Sequence, residues 1–335
     1  MSADHEVLAC PDCGGGVAPS GTGEVMLCQA CDGEYLVEGN VPRMFLKEEP
    51  HDSRNNVTDS VKEFYEEHPF PNYEELEQAS DLIRKSEEGF YAKFLNEQIP
   101  FNARVLEVGC GTGQLSNYLG LASRSVIGTD ICLNSLSLAE GFRASNNIGN
   151  VRFYQMNLFK PIFNPASFHL LICQGVLHHT GDPYLGFQRL VPLVKDNGYI
   201  IVGLYNKYGR LITDLRRLVF KLLRDRFKFL DPRLRSTDRG KLKRDAWFND
   251  QYKHPHESKH TIGEVLRWFD ENGIEFVNSI PHPKPFSPIT KEEKLFRSTP
   301  RGNFMQHLAV QLFSIINGYR EGGLFIMVGK KRPNA

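Results

Sequence analysis

Arg104-Val105-Leu106-Glu107-Val108-Gly109-Cys110-Gly111-Thr112-Gly113 is an apolar run that breaks into three glycines at alternate positions. The run reads as a buried strand. Glycines directly after it let the backbone turn sharply and bring bare N–H groups against a ligand, an approach that any Cβ would obstruct. A second short strand, 125–129, leads to Asp130 about twenty positions on, where a carboxylate at a neighbouring strand tip can accept both hydroxyls of a ribose. A nucleotide-like ligand is predicted there. Gln114 occupies the place of the third glycine of a dinucleotide fingerprint, and no Gly-Lys-Ser/Thr phosphate loop is present, so neither of those motifs is met.

Outward from this run, strand-like segments at 151–156, 168–173 and 199–204 alternate with helical patterns at 114–121 and 133–144. Such alternation requires a mostly parallel sheet covered by helices on both faces, an α/β fold. The stretch Glu107–Gly113 resembles the first motif of class I S-adenosylmethionine-dependent methyltransferases, and the resemblance continues over residues 100–206 and, past an insertion, to the C-terminus. It implies a Rossmann-like sheet of seven strands, with the last two at 275–280 and 324–329 and the final one antiparallel.

The resemblance also implies how S-adenosylmethionine is held. Gly109, Cys110, Gly111 and Gly113 approach its methionine portion, the helix opening at Gln114 faces its carboxylate, and Glu107 holds its ammonium. Asp130 takes the ribose diol, and Ile131 packs on the adenine. Asn157, where the family commonly has an acid, accepts from the adenine amino group, and the Leu158 N–H meets a ring nitrogen. Gln174 opens Gly175-Val176-Leu177-His178-His179-Thr180, beyond a strand end and so against the reacting methyl. That segment is similar to one in quinone-type and other small-molecule methyltransferases. Either His178 or His179 is a candidate general base, since imidazole titrates near neutrality. The Asp-Pro-Pro-Tyr signature of base-amino methyltransferases is absent.

Cys10-Pro-Asp-Cys13 and Cys28-Gln-Ala-Cys31 form two C-x-x-C pairs, each followed by a glycine that suits a tight knuckle. Two knuckles complete a tetrahedral Zn²⁺ shell, and four thiolates leave no open position for water, so the site is read as structural. With the strand-like residues to Phe45 this segment resembles the small zinc-ribbon domain known both as a free-standing activator of methyltransferases and fused ahead of them. A module so small gains much of its stability from its metal, about 10–16 kcal/mol for structural zinc.

The expected organisation is a zinc ribbon at 1–46, a linker and lid segment at 47–99, and a methyltransferase domain at 100–335 with a basic insertion at 207–260. Phe64, Tyr65, Phe70 and Tyr73 around Pro69 and Pro71 suggest an extended segment laid over a surface, which the methyltransferase resemblance implies is a cover for the cofactor or one wall of the substrate cleft, and residues 80–98 read as one amphipathic helix. Residues 207–244 hold fourteen Lys or Arg against four Asp, with Leu211, Leu215, Leu218 and Leu222 at helical spacing. A lid packed by that apolar face, an anion- or RNA-binding surface and a membrane-surface contact are all compatible with the pattern. Asp250, His254, His256, Glu257 and His260 cluster as a cleft loop, and Tyr65, Tyr205, Tyr252 and His254 are candidate substrate contacts. Thr261 and Glu264 form a capping box.

Forty basic residues balance forty acidic ones, so overall charge points to no polyanionic partner. No apolar run is long enough to span a bilayer and the N-terminus has no signal-peptide form, which predicts a cytoplasmic protein whose seven cysteines are thiols or metal ligands. Three functions follow: methyl transfer to a small or medium-sized organic acceptor, RNA methylation suggested by the ribbon and the basic insertion, and a non-catalytic cofactor-binding subunit.

Overall fold

The computed structural model describes all residues except 1–4, 48–51, 53, 72, 74–75, 123, 224–227, 236–239, 286, 288–289, 291, 318–322 and 334–335. Parts of the expected linker and insertion thus lie outside the described residues. An N-terminal antiparallel sheet of four strands, in the order β1-β2-β3-β4, comprises β1 Val17–Pro19, β2 Val25–Cys28, β3 Glu34–Glu38 and β4 Val41–Pro42. The knuckles are tight: Gly14 N–H donates to the Cys10 carbonyl at 2.9 Å, and Gly14 adopts φ +77°. Sheet and four-cysteine cluster together have the form of a zinc ribbon.

The second sheet contains β5 Arg104–Val108, β6 Ser125–Asp130, β7 Val151–Gln155, β8 Phe168–Gln174, β9 Val194–Tyr205, β10 Ile274–Ile280 and β11 Leu324–Lys331. Its order is β10-β11-β9-β8-β5-β6-β7, and β11 runs antiparallel to both of its neighbours while the other pairs are parallel. The chain therefore winds from β5 towards β7 and then returns to the other side of β5 at β8. That reversal is the switch point where open α/β sheets bind ligands, beyond the carboxyl ends of the strands. Val105, Leu106, Ile127, Leu171 and Ile172 are buried, and separate apolar cores lie against the sheet, as helices on both faces require.

The ribbon is joined to this sheet by backbone as well as by side chains. Leu8 bridges Phe163, Ala9 N–H donates to the Ile162 carbonyl at 2.8 Å, and Arg43 pairs in parallel with Gln155 beside the edge strand β7. Val7, Val17, Met26 and Met44 share one core with Tyr154, Ile162 and Phe163. The Arg43 bridge covers the Gln155 end of β7, a strand at the sheet edge.

Three segments depart from the sequence reading. Phe64–Glu67 belong to a helix, Arg54–Glu67, rather than to an extended segment; prolines at 69 and 71 restrict their own and the preceding residue, so the helix stops just short of them. Residues 80–98 form two helices, Ala79–Glu88 and Phe90–Gln98, divided at Gly89, whose extended backbone interrupts the run. The helix Leu211–Leu222 leaves its leucine stripe exposed. It packs instead through Thr213 and Phe220, and Phe220 joins Phe248 and Tyr252 in a small separate core. The Thr261/Glu264 box caps Ile262–Glu271 as expected. Among the described residues no helix is long and apolar enough to cross a membrane.

Candidate active site

Each glycine of the run after β5 has positive φ and a different neighbour. A Cβ on Gly109 would meet Val176 at 2.1 Å, on Gly111 the Phe70 carbonyl oxygen at 2.3 Å, and on Gly113 the ring of Phe153 at 2.7 Å. The loop therefore admits the β8 loop, the lid segment and the sheet itself. Its N–H groups are already paired: Gly109 and Cys110 donate to the Thr129 carbonyl, Gly111 to Asp130 and Gly113 to the Cys110 carbonyl. Space, rather than donors from these four residues, is what the glycines provide. The segment around Pro71 is tied to this loop by Thr112 Oγ1 donating to the Pro71 carbonyl at 2.5 Å and Tyr73 Oη donating to the Thr112 carbonyl at 2.8 Å. Glu66 caps the helix Leu133–Ser145 through the N–H groups of Leu133 and Asn134, at 2.9 and 3.0 Å.

Beyond the strand ends lies a cavity of about 450 Å³, within the range of small-molecule sites. Glu107, Gly109, Cys110, Gly111, Gln114, Asp130, Ile131, Asn157, Leu158, Gln174, His179, Tyr65 and Tyr205 line it. Gly113, His178, Tyr252 and His254 do not. Gly113 serves close packing of helix on strand. Tyr252 is drawn into the separate core, where its hydroxyl donates to Asp231 at 2.9 Å. His254 sits behind His179, ring centroids 3.6 Å apart.

The two adjacent histidines separate cleanly. His178 is fully buried, stacked on Tyr205 with centroids 3.9 Å apart, and burial holds its pKa well below the ordinary value, so it is a neutral packing ring. His179 Nδ1 lies 2.8 Å from the His256 carbonyl. A carbonyl only accepts, so Nδ1 carries the proton and Nε2 is left as the basic nitrogen of a side chain on the cavity wall. Burial lowers the His179 pKa and the Asp250 charge opposes that shift.

Two carboxylates mark the β5–β6 end. Glu107 accepts from Ser116 Oγ, and burial pushes its pKa up to about 7. Asp130 accepts from Cys132 N–H at 2.9 Å and Gly111 N–H at 2.8 Å, one on each oxygen, and the Ile131 backbone also favours its charged form, but burial raises its pKa. Asn157 lines the cavity, but its amide donates to the Leu46 carbonyl at 2.9 Å and accepts from Phe159 N–H at 3.1 Å, so it also ties the end of the ribbon to β7.

Other wall residues were not singled out from sequence. Thr58 and Val61 come from the helix Arg54–Glu67, while Trp247 and Gln251 come from the insertion together with Asp250. Tyr65 Oη donates to one Asp250 oxygen at 3.0 Å, and Gln251 Nε2 donates to the other and to Tyr205 Oη, both at 2.8 Å. The insertion is locked on from beneath: Arg210, fully buried, stacks on Tyr205 at 3.8 Å and pairs with Glu257. Only the tryptophan and the Asp-Gln pair beside the histidine-rich loop hint at this in the sequence.

In the ribbon, Cys10 and Cys31 sulfurs are 3.8 Å apart, Cys13 and Cys28 sulfurs 3.5 Å, and all four lie within 4.8 Å of one another. Tetrahedral zinc at about 2.3 Å from each thiolate spaces the sulfurs by about 3.8 Å, so the donor set fits. Among the described residues this is the only converging group of three or more metal-ligating side chains; His254, His256 and His260 form none.

Glycine run, acidic β6 tip, switch-point cavity and a seven-stranded sheet with one reversed strand define a class I S-adenosylmethionine-dependent methyltransferase fold. A family model described as a methyltransferase domain matches residues 101–273, and the chain belongs to that family. It is 29% identical over 198 residues to the uncharacterized protein syc1184_c of Synechococcus sp., covering 52% of this chain and 48% of that one. It is 29% identical over 108 residues to the ubiquinone biosynthesis O-methyltransferase of Paracidovorax citrulli, covering 32% of this chain and 45% of that one. The chain thus spans about half the length of these curated relatives. A solved complex containing the Haloferax volcanii Trm112 methyltransferase activator includes a chain of similar fold, at 13% identity and TM-score 0.47, covering 76% of this chain and 96% of that one.

Proposed function

We propose that this protein transfers a methyl group from S-adenosylmethionine to a hydroxyl of a small organic acceptor, with His179 as general base and a structural Zn²⁺ held by Cys10, Cys13, Cys28 and Cys31. The observation that carries the reading is the division of one cavity into two chemistries. At one end Glu107 and Asp130 suit an ammonium and a ribose diol; at the other, a neutral imidazole presents its basic nitrogen beside Tyr205 and Asp250.

When bound, the cofactor supplies a methyl group activated by a sulfonium. Asp130 would accept from the ribose hydroxyls, Ile131 and Leu158 would provide apolar contact, and Glu107 would neutralise the amino group. His179 Nε2 takes the acceptor's hydroxyl proton, the His256 carbonyl holds the ring's tautomer, and the Asp250 charge favours the imidazolium that results. Tyr65, Val61 and Trp247 close the cavity from the lid and insertion, which aligns the acceptor and excludes water. Similarity to ubiquinone biosynthesis O-methyltransferases supports an oxygen acceptor.

Calorimetric titration with S-adenosylhomocysteine, followed by transfer of labelled methyl to a panel of phenols and other small acceptors, tests the reading. Asp130→Ala should weaken binding about tenfold to a hundredfold, for the loss of charge-assisted hydrogen bonds. Unchanged affinity would remove the ribose assignment. Binding without turnover on any acceptor would favour a non-catalytic subunit, and nucleic acid that copurifies and dissociates steeply with salt would favour an RNA acceptor.

A further inference from the structure

The helix Leu211–Leu222 carries its apolar side on the outside of the molecule. Leu211, Leu215, Leu218 and Leu222, at steps of four, three and four, fall on one narrow stripe, and all are exposed, Leu215 at 62% and Leu222 at 71%. Leu223 and Phe229 continue the exposure beyond the helix end. The inner side is already satisfied: Phe220 is buried with Phe248 and Tyr252, and Arg217 donates to Glu257 and to the Gln251 carbonyl. The stripe is thus a surplus apolar surface on a helix whose own packing is complete, and contiguous exposed apolar surface of this kind marks an interaction site.

Charge identifies the occupant. Residues 207–244 hold fourteen of the forty basic residues but four of the forty acidic ones, which leaves twenty-six basic against thirty-six acidic in the rest of the chain. A chain whose positive charge is concentrated in one segment is drawn through that segment to an anionic surface and repelled from it by the remainder. An apolar stripe set within a basic segment is the pattern of a helix that lies in the interface of an anionic bilayer. Lys221 is exposed on the helix next to Leu222, placed for headgroups while the leucines enter the acyl boundary. A second copy of this chain would set this positive segment against its own equivalent, which like charge opposes.

We propose that the leucine stripe of Leu211–Leu222 docks the protein on anionic membrane surfaces. The same insertion supplies Trp247, Asp250 and Gln251 to the cavity wall, so docking brings the acceptor end of the site beside the bilayer. The proposal does not depend on the identity of the acceptor, and its test requires no turnover.

The full-length protein is sedimented with vesicles of phosphatidylcholine containing phosphatidylserine and with phosphatidylcholine alone. Binding is expected to the anionic vesicles only, and Leu215→Gln/Leu218→Gln/Leu222→Gln should lower the bound fraction about tenfold or more, because three apolar side chains no longer enter the interface. The three leucines lie outside the packed core, so thermal unfolding and S-adenosylhomocysteine affinity should stay at wild-type values, and an unchanged affinity separates this test from that of the catalytic reading. Equal binding of wild type and triple variant would overturn the proposal. So would wild-type protein that ignores both vesicles, or a concentration-dependent dimer abolished by the triple substitution.

Discussion

An ammonium entering the methionine end of the cavity should expel a proton from Glu107. Burial raises this carboxyl from 4.5 to about 7, hydrogen bonds from Ser116 oppose the shift, and the Asp130 charge adds to it. At about 1.4 kcal/mol per pH unit, ionising Glu107 in the empty protein costs roughly 3 kcal/mol relative to water. The folded carboxyl binds a proton between pH 4.5 and 7 that the unfolded one has lost, so its favourable contribution to stability is complete below 4.5 and is lost as pH rises through 7. A ligand ammonium reverses the preference by pairing with the carboxylate. At pH 6 Glu107 is about nine-tenths protonated, whereas the ligand's amino group is already charged, so binding should release roughly 0.9 proton, falling to roughly 0.1 at pH 8. Titration with S-adenosylhomocysteine in buffers of different ionisation enthalpy counts these protons directly. Glu107→Gln should abolish the release and weaken binding. A wild-type count near zero at pH 6, with binding intact, refutes the assignment of Glu107 to the ammonium.

The remaining expectations concern the loop, the base and the ribbon. Gly111→Ala places a Cβ 2.3 Å from the Phe70 carbonyl at a backbone of φ +53°, so the lid must lift; limited proteolysis near Phe70 should accelerate and cofactor affinity should fall, and wild-type behaviour in both assays would contradict the loop–lid contact. Catalysis needs neutral His179, whose pKa lies below 6.5, so kcat should hold down to that range and decline as pH falls through the lowered pKa. His179→Gln should remove this acid limb and reduce kcat about 10²–10⁴-fold, while His178→Phe, which preserves the stacked ring, should retain the limb; a limb unaffected by His179→Gln would exclude it as the base. Metal analysis should find one zinc per chain and Cys28→Ser should lose it, with a lower unfolding midpoint because the ribbon shares its core with the large sheet; a metal-free wild type would remove the zinc assignment.

How far the sequence could be read depended on whether a residue's role was set locally. β5 begins and ends at Arg104 and Val108 as its apolar run indicates, because a central strand buried on both faces tolerates little else. β9 starts at Val194, five residues before the sequence suggests, since Asp196-Asn197-Gly198 has turn chemistry; the strand absorbs it through Asn197 at φ +63° and a shift of register against β8. Asp130 and Glu107 were legible because strand ends place them. Trp247 was not, because it reaches the cavity only after Arg210 and Glu257 anchor an insertion more than forty residues long in sequence, whereas the cleft loop that contains Asp250 was marked by its own cluster of acids and histidines.

The leucines of Leu211–Leu222 give the clearest case of a pattern that is real and still ambiguous. Helical spacing establishes that one side of the segment is apolar, but burial is a property of the neighbour, and periodicity contains none. Here the neighbour selects the opposite side: Thr213, Phe220 and Arg217 face the insertion and its Glu257 anchor. Rotating the helix to bury the leucines would withdraw Phe220 from Phe248 and Tyr252, and would also break the Arg217–Glu257 pair at 2.8 Å, leaving Glu257, 3% exposed, with less compensation for its charge. Breaking a buried pair from one side costs about 3–5 kcal/mol where the pair is fully enclosed, and less for a partly exposed Arg217. Burial of the leucines would repay part of that, so the observed orientation is held by the charge network and the aromatic core together. The same balance predicts that Glu257→Gln loosens this helix before it disturbs the sheet, with amide exchange rising first in Leu211–Leu222; simultaneous loosening of β8 and β9 would show that the insertion and the sheet unfold as one unit.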